Sequence, residues 1–328
     1  MKRVRVEDAI GKPLAHDVIH YGPKLKSVLF KRGHIVQPED LEKLKDTGNY
    51  YIYVAGGREE EVHEDEAALR MARAIAGGNL SHTKPDKGRV KVLAETPGLL
   101  KVKADVVRRV NLIDNFVLAT QANNTGVRRQ QAVAAVKIVP LTIKEEQIQE
   151  VEDFLLENKP VIWVVPPRIK KIATVVVGTE IYEGRIKDVF VPVLREKLDG
   201  YDLNIQESVV LPDDKKKIVE KILELKERGY ELILVTGGLA VDAGDVTPSA
   251  IEDAGAEVIS RGAPIFPGPM IMLAYLDDTS IIGVPAAAIP FERTSLDYIL
   301  PRVLAGEKLT KESIAELGVG GFFQGAKA

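Results

Sequence analysis

Leu232-Ile233-Leu234-Val235-Thr236-Gly237-Gly238 is the most informative run in the chain. Four aliphatic residues lead without a break into a threonine and two glycines. An unbroken apolar run suits a central strand covered on both faces, as in a parallel sheet, better than a half-solvated strand. In an open α/β sheet, ligands bind beyond the carboxyl ends of the strands. Glycines there let backbone amides approach a phosphate closely, and a threonine hydroxyl can donate to one of its oxygens. Taken alone, two glycines after a strand are also simply a turn.

On either side of this run, Ile172 to Val177, Leu203 to Val210 and Ser280 to Val284 are the companion strands. Pro212 is followed by Asp213 or Asp214 as a cap. A helix then buries Ile218, Ile222 and Leu225 and stops at Gly229. Thr247-Pro248 opens a second helix that ends near Gly255. This alternation from Lys171 onward predicts an α/β domain, with a mostly parallel sheet covered by helices. Asp242 and Asp245 follow the glycine pair closely. They would repel a bare phosphate unless they hold Mg²⁺ against it or accept hydrogen bonds from a heterocycle. Capping by Asp245 or Thr247 is the plainer account of the same residues.

The preceding residues read as two smaller modules. Residues 1–80 form an α+β module. Its first helix opens at Gln37-Pro38-Glu39-Asp40, closes at Gly48 and leads into a strand at Tyr50 to Val54, and a second helix runs from Glu61 to Ala76. Asn79 to Gly88 has loop composition and marks a boundary. Residues 88–168 form a β-rich module, from the short Val- and Leu-rich runs of Val90 to Val139, plus a connecting helix over 143–158. Lys159-Pro160 to Pro166-Pro167 is an extended connector. The α/β domain then occupies 169–310, and 311–328 is a tail.

Composition narrows the function classes. The 328 residues call for more than one domain. The formal charge of −3 gives no global field for nucleic acid or an anionic membrane. The absence of cysteine removes disulfides, thiolate metal sites and thiol nucleophiles. No run has membrane-spanning length and no secretory leader is evident, so a cytoplasmic protein is expected. His16 and His20 are spaced for one helical face, but Gly22-Pro23 implies an extended segment and no third ligand is in view. Surface histidines are expected instead. The Lys215 to Lys217 triplet reads as a solvated helix face, and Trp163, with the run Val161 to Val165, as packing.

Thr236-Gly237-Gly238 followed by Asp245-Val246-Thr247-Pro248 resembles the molybdopterin-binding domain superfamily. Further matches keep the same order: Gly178-Thr179-Glu180, Gly184-Arg185-Ile186 with Asp188, Pro212-Asp213-Asp214, Pro267-Gly268-Pro269-Met270 and Gly283-Val284-Pro285. Val6 to Gly11, Gly33-His34 leading to Ile52-Tyr53-Val54, and Asn123-Asn124 through Pro140 are similar to the long family of that superfamily, the molybdopterin molybdotransferases. The resemblance implies a three-layer α/β/α domain that binds molybdopterin or adenylylated molybdopterin. It also implies Mg²⁺, and insertion of molybdate into the adenylylated pterin. Glu180, Asp214 and Asp245 would be the catalytic acids, and together with Asp213 they would ligate the metal. Gly178, Thr179, Thr236, Gly237, Gly238, Asp242, Thr247, Pro267, Gly268, Pro269 and Pro285 would line the pterin site. A homo-oligomer is implied, with a molybdoenzyme apoprotein as a further partner.

Two stretches depart from the family pattern. Ala15 to Tyr21 lacks the Asp-Gly-Tyr-Ala type motif, and Val284-Pro285-Ala286-Ala287-Ala288 replaces Leu-Pro-Gly-Asn-Pro. The second loses a glycine and an amide side chain, which favours a non-catalytic carrier or sensor as the alternative. Nucleotide pyrophosphatase-like hydrolysis, as in the competence-damage-inducible family that shares the domain, is the other alternative.

Overall fold

The computed structural model describes residues 2–21, 26–55, 61–239 and 246–322. The first module contains β1 (Lys2–Arg5), β2 (Val18–Tyr21), β3 (Lys26–Phe30), α1 (Asp40–Asp46) and β4 (Tyr51–Val54). β1 pairs antiparallel with β4, and β2 with β3. The period of two along a strand sends Val4, Ile52 and Val54 inward, where they meet Val6, Leu14, Val36 and Leu44. Tyr51 and Tyr53 are left outside, with Arg3 lying over the Tyr51 ring.

The second module contains β5 (Glu61–His63), α2 (Glu64–Ile75), β6 (Leu80–His82), β7 (Arg89–Ala94), β8 (Gly98–Val102), α3 (Ala104–Val110) and β9 (Phe116–Thr120). It continues with β10 (Thr125–Val127), β11 (Ala132–Ile138), β12 (Thr142–Lys144), α4 (Glu145–Glu157) and β13 (Ile162–Val165). It holds two antiparallel sheets, β6-β7-β11-β9 and β10-β8-β13, and a separate β5-β12 pair.

Three details differ from the sequence expectations here. α2, grouped by sequence with residues 1–80, packs in this second core, because its face of Ala67, Ala68, Met71, Ala72 and Ile75 meets Val90, Val136 and Ile148. Asn79 to Gly88 is not all loop: Leu80–His82 pairs with β7. Within the β-rich run, Ala104–Val110 is helical and buries Val106 and Val110, an i,i+4 pair.

The C-terminal domain comprises β14 (Ile172–Val177), α5 (Thr179–Tyr182), α6 (Phe190–Asp199), β15 (Glu207–Leu211), α7 (Lys215–Glu227) and β16 (Leu232–Thr236). After these come α8 (Thr247–Asp253), β17 (Glu257–Arg261), β18 (Met272–Leu276), β19 (Thr279–Val284), α9 (Leu296–Leu304) and α10 (Lys311–Ala315). One six-stranded sheet runs β15-β14-β16-β19-β18-β17. Its first four strands are parallel, and β18 and β17 add an antiparallel edge. Ile172, Leu234 and Ile282 face Leu194 and Leu198 of α6 and Leu296 and Leu300 of α9. On the other side Val175, Ile233 and Ile281 meet Ile218 and Ile222 of α7 and Ile251 of α8. The domain is therefore a three-layer α/β/α unit with a mostly parallel sheet.

The strand expected over 203–210 starts later, at Glu207, because Leu203 and Ile205 pack under α6 and α9 instead of joining the sheet. The expected tail is also structured as far as Phe322. Ile314 of α10 enters the core, and the Phe266 amide donates to the Gly321 carbonyl at 2.7 Å.

The second module meets the C-terminal domain through charge as well as packing. Lys101 pairs with Glu307 at 2.7 Å, and Arg302 reaches the same carboxylate at 2.7 Å. Burial raises the Glu307 pKa, but the hydrogen bonds from these two cations outweigh it and hold the group below its ordinary value. Among the described residues, no helix is long and apolar enough to cross a membrane.

Candidate functional site

The parallel register builds the site. Val177 lies opposite Leu211, Val176 opposite Thr236, and Thr236 opposite Val284. Asp213, Gly178, Gly237 and Pro285 consequently leave the same edge of the sheet in neighbouring positions, although they are far apart in sequence. That edge is the carboxyl end of the parallel strands, the place where such sheets bind ligands.

Gly237 and Gly238 both adopt positive φ, +83° and +59°. A β-carbon on Gly237 would overlap the Val177 carbonyl oxygen, and one on Gly238 would lie 2.7 Å from Thr247 Oγ1. Only glycine fits a bend pressed this closely between β14 and α8. The bend is also tied down, since the fully buried Thr247 donates its hydroxyl to the Gly237 carbonyl at 2.9 Å. Thr247 thus fastens the glycine turn and does not cap α8, whose N-cap is Val246 with no side-chain hydrogen bond. Thr236 is completely buried, and its Oγ1 has no hydrogen-bond partner. Thr174 on β14 carries a second unpartnered hydroxyl on the same face of the sheet. A buried hydroxyl without a partner costs about 1–3 kcal/mol, so a pair of them on one face of one domain calls for an explanation.

The acidic residues are arranged differently. Asp213 Oδ2 accepts from both the amide and the hydroxyl of Thr179, at 2.8 and 2.9 Å, and the Asp213 amide donates back to Thr179 Oγ1 at 3.1 Å. Asp214 is the N-cap of α7, accepting from the amides of Lys216 and Lys217 at 3.0 and 3.3 Å. Glu180 is exposed and lies against Gly178. Among the described residues, no group of three or more His, Asp or Glu side chains could hold a metal ion. Of the expected acids, Glu180, Asp213 and Asp214 are among these residues, and Asp242 and Asp245 lie outside the described residues. The bonds to Asp213 and Asp214 engage one oxygen of each carboxylate.

Residues 173–304 match the family model described as "Probable molybdopterin binding domain". The C-terminal domain belongs to the molybdopterin-binding domain superfamily. Residues 3–56 match a second model, described as a domain of unknown function, DUF8806. A CinA-like protein of Amoebophilus asiaticus is 32% identical over 75 residues, 23% of this chain and 18% of the relative. A putative competence-damage inducible protein of Bacillus mycoides is 32% identical over 77 residues, 24% of this chain and again 18% of the relative. The chain thus spans less than a fifth of these two relatives. Among solved structures, the molybdopterin biosynthesis enzyme MoaB of Thermus thermophilus is similar at 21% identity, covering 42% of this chain and 98% of that one, with a TM-score of 0.35.

In the molybdopterin-binding domain, Pro267, Gly268 and Pro269 lie in a loop held by residues the sequence did not single out. Gly268 has φ +94°, and its carbonyl accepts the hydroxyl of the fully buried Ser295. The Ser295 amide reaches the Pro267 carbonyl at 3.3 Å. Its neighbour Thr294, also fully buried, donates its amide to Asp297 Oδ2 at 2.8 Å. The available signal is Thr294 followed three residues later by Asp297, a spacing that marks a helix start. Pro285 is buried and opens a single helical turn over Ala286–Ala288, where the family pattern places glycine and asparagine.

One of the two paired histidines departs from the surface expectation. His20 and His82 are exposed, but His16 Nδ1 is buried without a partner, as is His63 Nε2. Burial pushes both imidazoles below their ordinary pKa.

Proposed function

We propose that the C-terminal domain binds molybdopterin, free or adenylylated, at the carboxyl edge of its sheet. The Gly237-Gly238 bend and Thr236 would take the phosphate, Gly178 and Thr179 would lie beside it, and the 267–269 and 285 segments would wall the ring system. The observation that carries this assignment is the Thr236 hydroxyl, buried and unpartnered at the strand end next to a bend only glycine can make. A phosphate oxygen accepting from that hydroxyl would supply the missing partner. Binding of this kind places the protein with those of molybdenum cofactor biosynthesis.

Mg²⁺ at this edge would need Asp242 or Asp245, since the described carboxylates alone form no group of three. Insertion of molybdate would ask more of the chain than binding does, Asp245 included. A carrier without turnover needs only the phosphate and ring contacts, and Ala286–Ala288 favours it.

Calorimetric titration with molybdopterin and its adenylylated form, each with and without Mg²⁺, tests the binding. Saturable heat that Thr236→Val weakens about tenfold is expected; no heat with either form removes the proposal. Release of AMP from the adenylylated form separates turnover from carriage. Hydrolysis of nucleotides is the second reading, favoured by the two competence-damage-type relatives. A screen of ADP-ribose-like substrates checks it.

A further inference from the structure

A cleft of about 1020 Å³ lies between the 121–131 segment of the second module and the α6 and α9 side of the C-terminal domain. It is large enough for a ligand of nucleotide size. What such a ligand must offer follows from which polar groups in the cleft are already engaged.

Four polar side chains of the lining already accept hydrogen bonds. Asp297 receives Lys197 on Oδ1 at 2.6 Å and Thr294 on Oδ2. The Gln131 side-chain oxygen accepts the Arg128 amide at 2.8 Å, and that of Gln121 accepts from the Gln131 side-chain amide at 3.4 Å. Asn124 Oδ1 accepts Lys101 at 2.6 Å. Two strong donors remain. The Arg128 guanidinium has no ion-pair partner among the described residues and lies against Gly200, on which a β-carbon would come within 3.0 Å of Arg128 Nε. Beside it, the Tyr201 hydroxyl is pressed onto Gly126 and makes no hydrogen bond among the described residues. Burial, first, and the Asp297 charge, second, push that phenol up to about 12, so it stays a donor throughout the neutral range. Glu196 and Glu292 also line the cleft as exposed carboxylates, which an anion held by Arg128 and Tyr201 must avoid, and Arg293 stacks on Tyr298 at 4.8 Å.

We propose that this cleft is a second ligand site, for a small organic anion whose phosphate or carboxylate accepts from Arg128 and Tyr201. Arg128 and Tyr201 are uncommitted donors side by side, and a guanidinium offers two parallel N–H groups to an oxyanion. The site differs from the strand edge in both residues and chemistry, so it does not rest on pterin binding. Segment 286–295 runs from Pro285 at that edge into the wall of the cleft, which gives the two sites a shared element.

The test is calorimetric titration of the full chain with AMP, citrate and inorganic phosphate, for wild type, Arg128→Gln, Tyr201→Phe and Thr236→Val. Saturable binding of AMP or citrate is expected. AMP alone would mark a phosphate ligand, and citrate alone a carboxylate ligand. Arg128→Gln should weaken binding at least tenfold. Tyr201→Phe should weaken it severalfold with no loss of melting temperature, because the hydroxyl holds nothing in the free protein. Thr236→Val should leave it unchanged. The proposal is overturned if neither AMP nor citrate binds, whether or not inorganic phosphate does, or if Arg128→Gln binds as well as wild type. It is equally overturned if Thr236→Val alone abolishes binding, which would put the anion at the strand edge.

Discussion

The strand edge and the interdomain cleft are two candidate sites built by opposite means. At the edge the shape comes from backbone: Gly237 and Gly238 fold against the Val177 carbonyl, and side chains serve mainly to pin the turn. In the cleft the character comes from side chains contributed by two modules. A site of the first kind is rigid and intolerant of substitution. One of the second kind can lose a side chain and still fold.

The severest test of that contrast is Gly237→Val, which should cost roughly 3–4 kcal/mol through forced positive φ and steric overlap. Chemical denaturation measures it; a variant as stable as wild type would mean that Val177 and Thr247 do not pin the bend. Next is Lys197→Met in the cleft, which leaves Asp297 half-buried without its cation. A loss of about 2 kcal/mol is expected, read by the same denaturation curves. Asp214→Ala should cost about 1 kcal/mol as a lost helix cap and leave pterin affinity intact. A collapse of Mg²⁺-dependent AMP release, with unchanged stability, would instead make Asp214 a metal ligand.

Two pH effects complete the series. Tyr201 is neutral when buried, with its pKa raised from 10.0 to about 12. The neutral phenol leaves stability flat below pH 10, and its forced ionisation erodes stability as the pH rises toward 12, so Tyr201→Phe should show a flatter alkaline limb in stability against pH. A smaller effect belongs to the junction of the first two modules. His16 and His63 are held neutral by burial there, near Asp17, Glu64, Asp65, Arg32 and Lys87. The unfolded chain takes up their protons first, so stability should fall as the pH drops below about 6.5. A His16→Gln, His63→Gln double variant should lose that slope in an acid titration followed by fluorescence.

The contrast also explains what the sequence can disclose. Leu232 to Gly238 announces both a central strand and its bend, because burial on two faces and a glycine-only turn each restrict the residues that can appear. Ile172 to Val177 does the same. Asp214 is legible as a cap, and the structure uses it as one. Ser295, which holds the proline loop, is silent in the sequence because its partner Gly268 is distant in the chain. The cleft leaves no local trace for the same reason: Arg128 and Tyr201 meet only when two modules pack. α2 belongs to a different core from the one its position in the chain suggests, since periodicity reveals an apolar face but not what covers it.

The hydrogen bond between Phe266 and Gly321 has a practical reach. A single strap, secured by Ile314 in the core, braces the loop that carries Pro267 to Pro269. Cutting the chain after residue 310 would remove this brace and leave Ser295 alone to hold the loop, with the glycine turn untouched. If the strand edge binds as proposed, a preparation so shortened would hold the phosphate as before and the heterocycle more loosely.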